Sequence, residues 1–276
     1  MVKVKVPATS ANIGPGFDCL GIALDLYNTI EVEECDDGLH IKAFGQGCDK
    51  IPLDGTNLVY SSMEKVFQYV GYNPRGLIIN LHNNIPIARG LGSSAACIVG
   101  GMVAANTLTG CPLSTNELIK LASQMDGHPD NVVPAMLGGM TIACKVGEDI
   151  KYIKMAPPEE VKFAVMIPDF ELCTAKARQV IPQIIPMEDA VFNISRTALL
   201  IASLLTGQVE NLAVATEDRL HQPYRKSLIP QWDDILSFSK KLGARGVFLS
   251  GAGPTIIAIL DRGYTSFAEE MLAMVS

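Results

Sequence analysis

Read for the spacing of its apolar positions, the chain divides into short strands and helices in mixed order. Residues 2–6 alternate valine with lysine, the pattern of a half-buried strand, which Pro7 is expected to end. An apolar run at 20–26 precedes two strand patterns, 29–34 and 39–43, joined at Asp36-Asp37-Gly38 in the manner of a hairpin. Leu58, Val59, Met63, Val66 and Phe67 recur at helical spacing within 56–71, and Gly71 stands where such a helix stops. A strand at 77–81 leads into P-I-A-R-G-L-G-S-S-A-A-C-I-V-G-G, Pro86 to Gly101, whose helix is predicted to be capped by Ser94 and to end near Gly110. Ser114 and Glu117 form a capping-box pattern for a helix reaching Met125; 126–131 (D-G-H-P-D-N) reads as a loop and 140–146 as a strand.

The polar run 147–160, with Pro157-Pro158, predicts a boundary between domains 1–150 and 151–276. Beyond it, strands are expected at 161–167, 247–249 and 255–260. Helices are expected at 174–180, 193–205, 211–220 and 231–242, with a last one from Ser266. Strands and helices mix without a strict strand–helix–strand repeat, which predicts the α+β class.

Composition narrows what the chain does. With 48% hydrophobic and 18% charged residues over 276 positions, it has material for a large core and little for disorder. A net charge of −7 lacks the basic footprint of a nucleic-acid binder. The seven cysteines (Cys19, Cys35, Cys48, Cys97, Cys111, Cys144, Cys173) are odd in number and form no C-x-x-C pair. That argues against a disulfide framework or zinc knuckle and predicts the reducing cytoplasm. The start of the chain lacks a signal-peptide core, and the apolar stretch 95–105 is too short to span a bilayer of about 30 Å, so no membrane association is expected.

Chemistry concentrates at Pro86–Gly101. Gly90 and Gly92 permit close backbone approach, Ser93 and Ser94 supply hydroxyls, and a helix start offers unpaired N–H groups and partial positive charge. Phosphate is the ligand such a turn suits. No lysine follows the second glycine, which excludes a Walker loop. Gly90, Gly92 and Ala95 match G-x-G-x-x-A formally, but Pro86 breaks the strand that should feed a dinucleotide fold and no ribose-binding acid follows at the right distance.

Three stretches together resemble the GHMP kinase superfamily: the central signature P-x-x-x-G-L-G-S-S-A at Pro86–Ala95, P-A-T-S-A-N-I-G-P-G-F-D at Pro7–Asp18, and S-G-A-G-P at Ser250–Pro254. Within it, H-P-D-N-V-V-P-A from His128 and D-R-L-H-Q-P-Y-R from Asp218 are similar to the homoserine-phosphorylating branch. The resemblance implies a two-domain fold, an N-terminal mixed β/α nucleotide-binding domain and a C-terminal ferredoxin-like domain. It implies transfer of phosphate from ATP to L-homoserine, Mg²⁺ and a homodimer. The rivals are another GHMP small-molecule kinase of mevalonate-pathway type and a non-catalytic ligand-sensing relative.

By the same resemblance, Pro86, Ile87, Ala88, Arg89, Gly90, Leu91, Gly92, Ser93, Ser94, Ala95 and Ala96 form the ATP loop, and Ser94 with Asp126 holds Mg²⁺. Asp126 is one methylene shorter than the glutamate usual there. Asn12, Asp18 and Asn131 are expected at the amino and hydroxyl end of the acceptor, and Arg178 and Arg225 at its carboxylate, which a planar guanidinium fork suits. Asn57 is a candidate adenine contact and equally an N-cap. No side-chain base is expected, because positioning and charge neutralisation carry phosphoryl transfer.

Overall fold

The structure, a computed structural model, describes residues 1–275. Backbone contacts divide the chain into two units: Met1–Ser10, Gly21–Ile87 and Leu91–Lys154 form the first, and Ala11–Leu20, Ala88–Gly90 and Met155–Ser276 the second. Two short pieces of the N-terminal half therefore belong with the C-terminal one.

The first unit holds β1 (Val2–Ala11), β2 (Leu20–Cys35), β3 (Gly38–Gly45), α1 (Leu58–Val70), β4 (Gly76–Asn83), α2 (Ser93–Leu108), α3 (Thr115–Asp126), α4 (Pro129–Leu137), β5 (Met140–Val146) and β6 (Asp149–Met155). Its sheet runs β3-β4-β2-β5-β6, with β1 also paired to β2. Helix α2 shows why its sequence is so rich in small residues. A Cβ on Gly100 would lie 2.3 Å from Ile30 of β2, and one on Gly101 would lie 2.4 Å from the Val59 carbonyl of α1. It is a buried core helix squeezed between sheet and neighbouring helix, and only glycine and alanine let the backbones approach that closely.

Three expectations change here. Pro7 lies inside β1, which pairs with β2; proline fits a strand wherever its missing N–H would not serve the ladder. The turn at Asp36-Asp37 does not close a hairpin: β4 lies between β2 and β3, and Gly76 stands opposite both Cys35 and Gly38. The segment 126–131 is only partly loop, since α4 begins at Pro129, where a missing N–H costs nothing. The polar run 147–160, expected to hold a domain boundary, also contains β6, whose Ile150 and Tyr152 pack on Ile119, Val133 and Ala143.

The second unit holds β7 (Val161–Met166), α5 (Thr174–Gln179), α6 (Met187–Thr206), α7 (Leu212–Ala215), α8 (Gln222–Arg225), α9 (Trp232–Lys241), β8 (Gly246–Leu249), β9 (Ile256–Asp261) and α10 (Phe267–Val275). Its antiparallel sheet has the order β7-β9-β8. Leu249, Ile256, Ala258 and Leu260 of that sheet cluster with Trp232 of α9 and Phe267 and Met271 of α10. Helix α6 is long and apolar enough to cross a membrane by length and composition alone. Its buried Asn193, Leu200, Ser203 and Leu204 make it a packed helix of this unit, and Asp189 and Arg196 pair with Arg219 and Glu217. The helix expected over 211–220 is cut short after Ala215, because the chain turns there to bring Asp218 beneath the start of α8.

Candidate active site

In the first unit, the end of β1 and the start of α2 meet. The Thr9 N–H donates to the Leu91 carbonyl at 3.1 Å. Gly92, at φ 65°, is the N-cap of α2, and no side chain caps the helix. Ser94 is thus already inside the helix, with its hydroxyl exposed, and not the predicted cap. The first N–H groups of α2 keep no side-chain acceptor, the condition under which a helix start receives phosphate. Glycine at 92 is required twice over, by its left-handed φ and by space. A Cβ there would lie 1.9 Å from Thr9 Oγ1 and 3.2 Å from Asn131 Oδ1.

Thr9 Oγ1 donates to Asn131 Oδ1 at 2.8 Å, which ties the first turn of α4 to this cradle. Asn131 Nδ2 in turn faces Asp130 Oδ1 at 3.5 Å. Asp130 is buried in the first turn of α4, where the helix dipole favours a carboxylate. Asp126 is the last residue of α3, the end at which the dipole disfavours one. A bound cation would offset that. Among the described residues no three His, Cys, Asp or Glu side chains gather as a metal cage. The Ser94 hydroxyl and the Asp126 carboxylate are each oxygen donors of the kind Mg²⁺ takes, its remaining oxygens usually coming from phosphates and water. Burial pushes the thiol of Cys97, one turn into α2, up to about 11, which disfavours the thiolate.

The other half of the glycine loop is fastened within the second unit. The Ala88 carbonyl accepts from Leu172 N at 3.0 Å, that of Arg89 from Thr255 N at 3.3 Å, and that of Gly90 from Ser250 Oγ at 2.6 Å. A Cβ on Gly90 would lie 2.4 Å from the Ser250 carbonyl. The S-G-A-G-P stretch therefore supports the loop. The Arg89 guanidinium faces Asp169 and Glu171 at 3.6 and 3.8 Å. Leu91, Ala95 and Ala96 are buried, and Pro86 and Ile87 belong to the first unit ahead of the turn, so of the eleven residues Gly92, Ser93 and Ser94 stand at the open start of α2. Asn57 is an N-cap: its Oδ1 accepts from Val59 and Tyr60 N–H, its Nδ2 donates to the Pro52 carbonyl, and it is buried.

Residues 11–20 form a second, strained loop. Asn12 (φ 73°), Ile13 (φ 45°) and Asp18 (φ 58°) all take left-handed backbone, which for a buried isoleucine costs on the order of 1–3 kcal/mol. What holds it is a set of side chains that the motifs only partly disclosed. Asn12 Oδ1 accepts from Asp18 N at 3.0 Å and its Nδ2 donates to the Gly251 carbonyl at 3.0 Å, so Asn12 braces the loop. The Pro15 carbonyl accepts from Asn193 Nδ2 and Thr197 Oγ1, both at 3.1 Å. His221 Nε2 lies 2.8 Å from the Gly14 carbonyl, and its ring stacks on Phe17.

Arg225 is among the largest fully buried side chains, not a solvated turn residue. Its Nε donates to the Ala177 carbonyl at 3.1 Å and its Nη1 to the Gly251 carbonyl at 2.9 Å and His221 Nδ1 at 3.1 Å. Arg178 and Asp18 form a two-pronged ion pair, Nη1–Oδ2 3.2 Å and Nη2–Oδ1 2.7 Å, each about one-third exposed. Arg178 Nε is buried and, among the described residues, has no hydrogen-bond partner.

An uncapped helix start behind a glycine cradle, both within the first unit, is the arrangement that receives phosphate in small-molecule kinases. The family pattern described as "GHMP kinases N terminal domain" matches residues 57–139, and "GHMP kinases C terminal" matches 200–273. The chain belongs to the GHMP kinases. It is 55% identical over its whole length to "Homoserine kinase" of Petrotoga mobilis, covering 90% of that protein, and 53% identical to "Homoserine kinase" of Caldicellulosiruptor saccharolyticus, covering 89%. The crystal structure of homoserine kinase from Cytophaga hutchinsonii superposes with a TM-score of 0.86 at 30% identity, covering 98% of this chain and 87% of that one. L. major mevalonate kinase in complex with R-mevalonate, 15% identical with a TM-score of 0.74 over 99% and 90% of the two chains, shares the fold alone.

Proposed function

We propose that this chain transfers the γ-phosphate of ATP to the hydroxyl of L-homoserine, giving O-phospho-L-homoserine and ADP, a step towards threonine. The observation that carries the reading is the Asp18–Arg178 pair, with an unused Nε on the arginine. Homoserine is a zwitterion. Its ammonium suits Asp18 and its carboxylate suits Arg178, whose planar fork has a donor to spare. Exchanging an internal ion pair for an alternating array of four charges keeps each one neutralised. A mevalonate-type acceptor has no ammonium, and Asp18 would face its carboxylate with nothing to bind.

Leu91–Ser94 and the α2 N-terminus hold the nucleotide's phosphates, and Ser94 and Asp126 hold Mg²⁺, which supplies charge neutralisation that no lysine provides. Asn131, fixed by Thr9, orients the acceptor hydroxyl, and the buried Arg225 adds positive charge beneath the carboxylate end. No side chain acts as an essential base. Asp130 is buried in a helix turn, and orientation with charge neutralisation supplies most of the acceleration. In this reading residues 1–150 carry the nucleotide and 151–276 most of the acceptor pocket, with Asn12 and Asp18 as the N-terminal contribution. The protein works in the cytoplasm as a homodimer.

A coupled ADP-release assay across L-homoserine, mevalonate and galactose tests this. Mg²⁺-dependent turnover selective for homoserine is expected. Turnover of mevalonate, or of no alcohol, overturns the reading.

A further inference from the structure

His221 belongs to none of the ligand sets above, yet it stands under the strained loop. It is fully buried between the Gly14 carbonyl, 2.8 Å from Nε2, and Arg225, whose Nη1 lies 3.1 Å from Nδ1. An arginine has only donors, so Nδ1 must accept, and the ring proton must lie on Nε2, which donates to Gly14. Both ring nitrogens are thereby used by a neutral imidazole and by no other form. The same Arg225 Nη1 reaches the Gly251 carbonyl, which also receives Asn12 Nδ2. A chain of contacts thus runs Gly14–His221–Arg225–Gly251–Asn12 and back to Asp18 N, with Phe17 stacked on the imidazole from within the loop.

We propose that His221 is a positioning residue for the acceptor: as the neutral Nε2–H tautomer it ties Gly14 to Arg225 and keeps residues 12–18 in the shape that presents Asp18 to the substrate ammonium. The inference rests on the role given to Asp18 under the proposed function. Three charged groups face the ring: Asp218, with Oδ2 3.5 Å from Nε2, then Arg225 and Asp18. Asp218 accepts from the N–H groups of Leu220, His221 and Gln222 and from Asn193 Nδ2, and its charge pulls the ring's pKa upward without overcoming burial. Burial first, and then Arg225, hold the imidazole below its ordinary range.

The test compares His221→Phe, which keeps the ring on Phe17 and loses both hydrogen bonds, with His221→Gln, which keeps a donor for Gly14. Losing buried hydrogen bonds at a positioning contact should raise the homoserine KM about 10- to 100-fold in His221→Phe, with the ATP KM within about twofold. His221→Gln should stay within about fivefold of the parent for both substrates. Independently, ¹⁵N spectra of histidine-labelled protein should show an Nε2–H, bare-Nδ1 signal that persists from about pH 8 to about pH 5.5 and is lost in either variant. An unchanged homoserine KM in folded His221→Phe, equal rises for both substrates, or a proton found on Nδ1 overturns the proposal. Should His221→Phe fail to fold, a His221→Gln variant with homoserine KM raised more than about tenfold overturns it equally. If the parent enzyme does not turn over homoserine at all, the proposed function fails on its own, while the tautomer measurement still decides the hydrogen-bond arrangement.

Discussion

Asp18 and Arg178, 160 residues apart in sequence, face each other through two hydrogen bonds of 2.7 and 3.2 Å while each stays about one-third open to solvent. An exposed pair of this kind adds little stability. In the proposed function its value lies in its exposure, which lets a ligand reach both partners. Asp18→Asn and Arg178→Lys should each raise the homoserine KM roughly 10- to 100-fold with little change in the ATP KM or in Tm. The double variant should lose less than the product of the two, since both act on one ligand. Steady-state kinetics with each substrate varied in turn checks this, and a rise confined to the ATP KM would refute it.

Two glycines with nearly the same backbone should behave differently when given a methyl group. Gly71, the C-cap of α1 at φ 70°, has open space around it: a Cβ added there would meet nothing within 4 Å. Gly71→Ala should cost only about 1 kcal/mol of stability, the strain of left-handed backbone, and leave turnover intact. Gly92 is hemmed in by Thr9 and Asn131, so Gly92→Ala should displace both and reduce kcat/KM for ATP at least about 100-fold. Chemical denaturation and kinetics on the pair decide it; equal activity losses would sink the distinction.

Ser94→Ala and Asp126→Ala should each raise the Mg²⁺ concentration giving half-maximal rate by about tenfold and lower kcat at saturating ATP. The measurement is rate against free Mg²⁺ at fixed ATP. An unaltered Mg²⁺ curve in both variants would remove these residues from the metal site.

Stability should fall as the solution is acidified through the ordinary histidine range. His221 has its pKa lowered from 6.5 in the fold, so below that value the unfolded chain binds a proton that the folded one does not. Folding stability therefore rises with pH up to about 6.5 and is flat above it as far as this residue is concerned. The carboxylates of Glu31, Glu117, Asp54 and Asp261, held low by hydrogen bonds and neighbouring cations, add acid sensitivity only further down. Urea midpoints in steps between about pH 5 and about pH 8 should show the slope, and His221→Gln should flatten it.

Local patterns read well where the physics is local. The α1 and α3 caps, the start and end of β5, and the glycine loop opening α2 all follow from residues within a few positions of one another. The cap predicted at Ser94 failed because Gly92 in left-handed backbone already ends the loop, which frees the serines for a ligand. The Asp36-Asp37-Gly38 hairpin failed because the partner of both strands, β4, comes some forty residues later, and no turn signal encodes that.

Motifs over short stretches determined the family, since they depend on residue type alone, and the resemblance in turn pointed to the phosphate loop and to Ser94 and Asp126 as candidate metal donors. Only the tertiary structure decided what Asn12, Asn57, Arg225 and His221 do. Each is a polar side chain whose role depends on which distant groups remain for it once the chain is folded. Asn57 is spent on its helix, and Asn12, Arg225 and His221 are spent largely on one another and on backbone carbonyls up to 239 positions away. Asp18 and Arg178 pair with each other and stay about one-third exposed, because a group deep in the core must be satisfied internally while a half-exposed pair can still exchange a partner for a ligand.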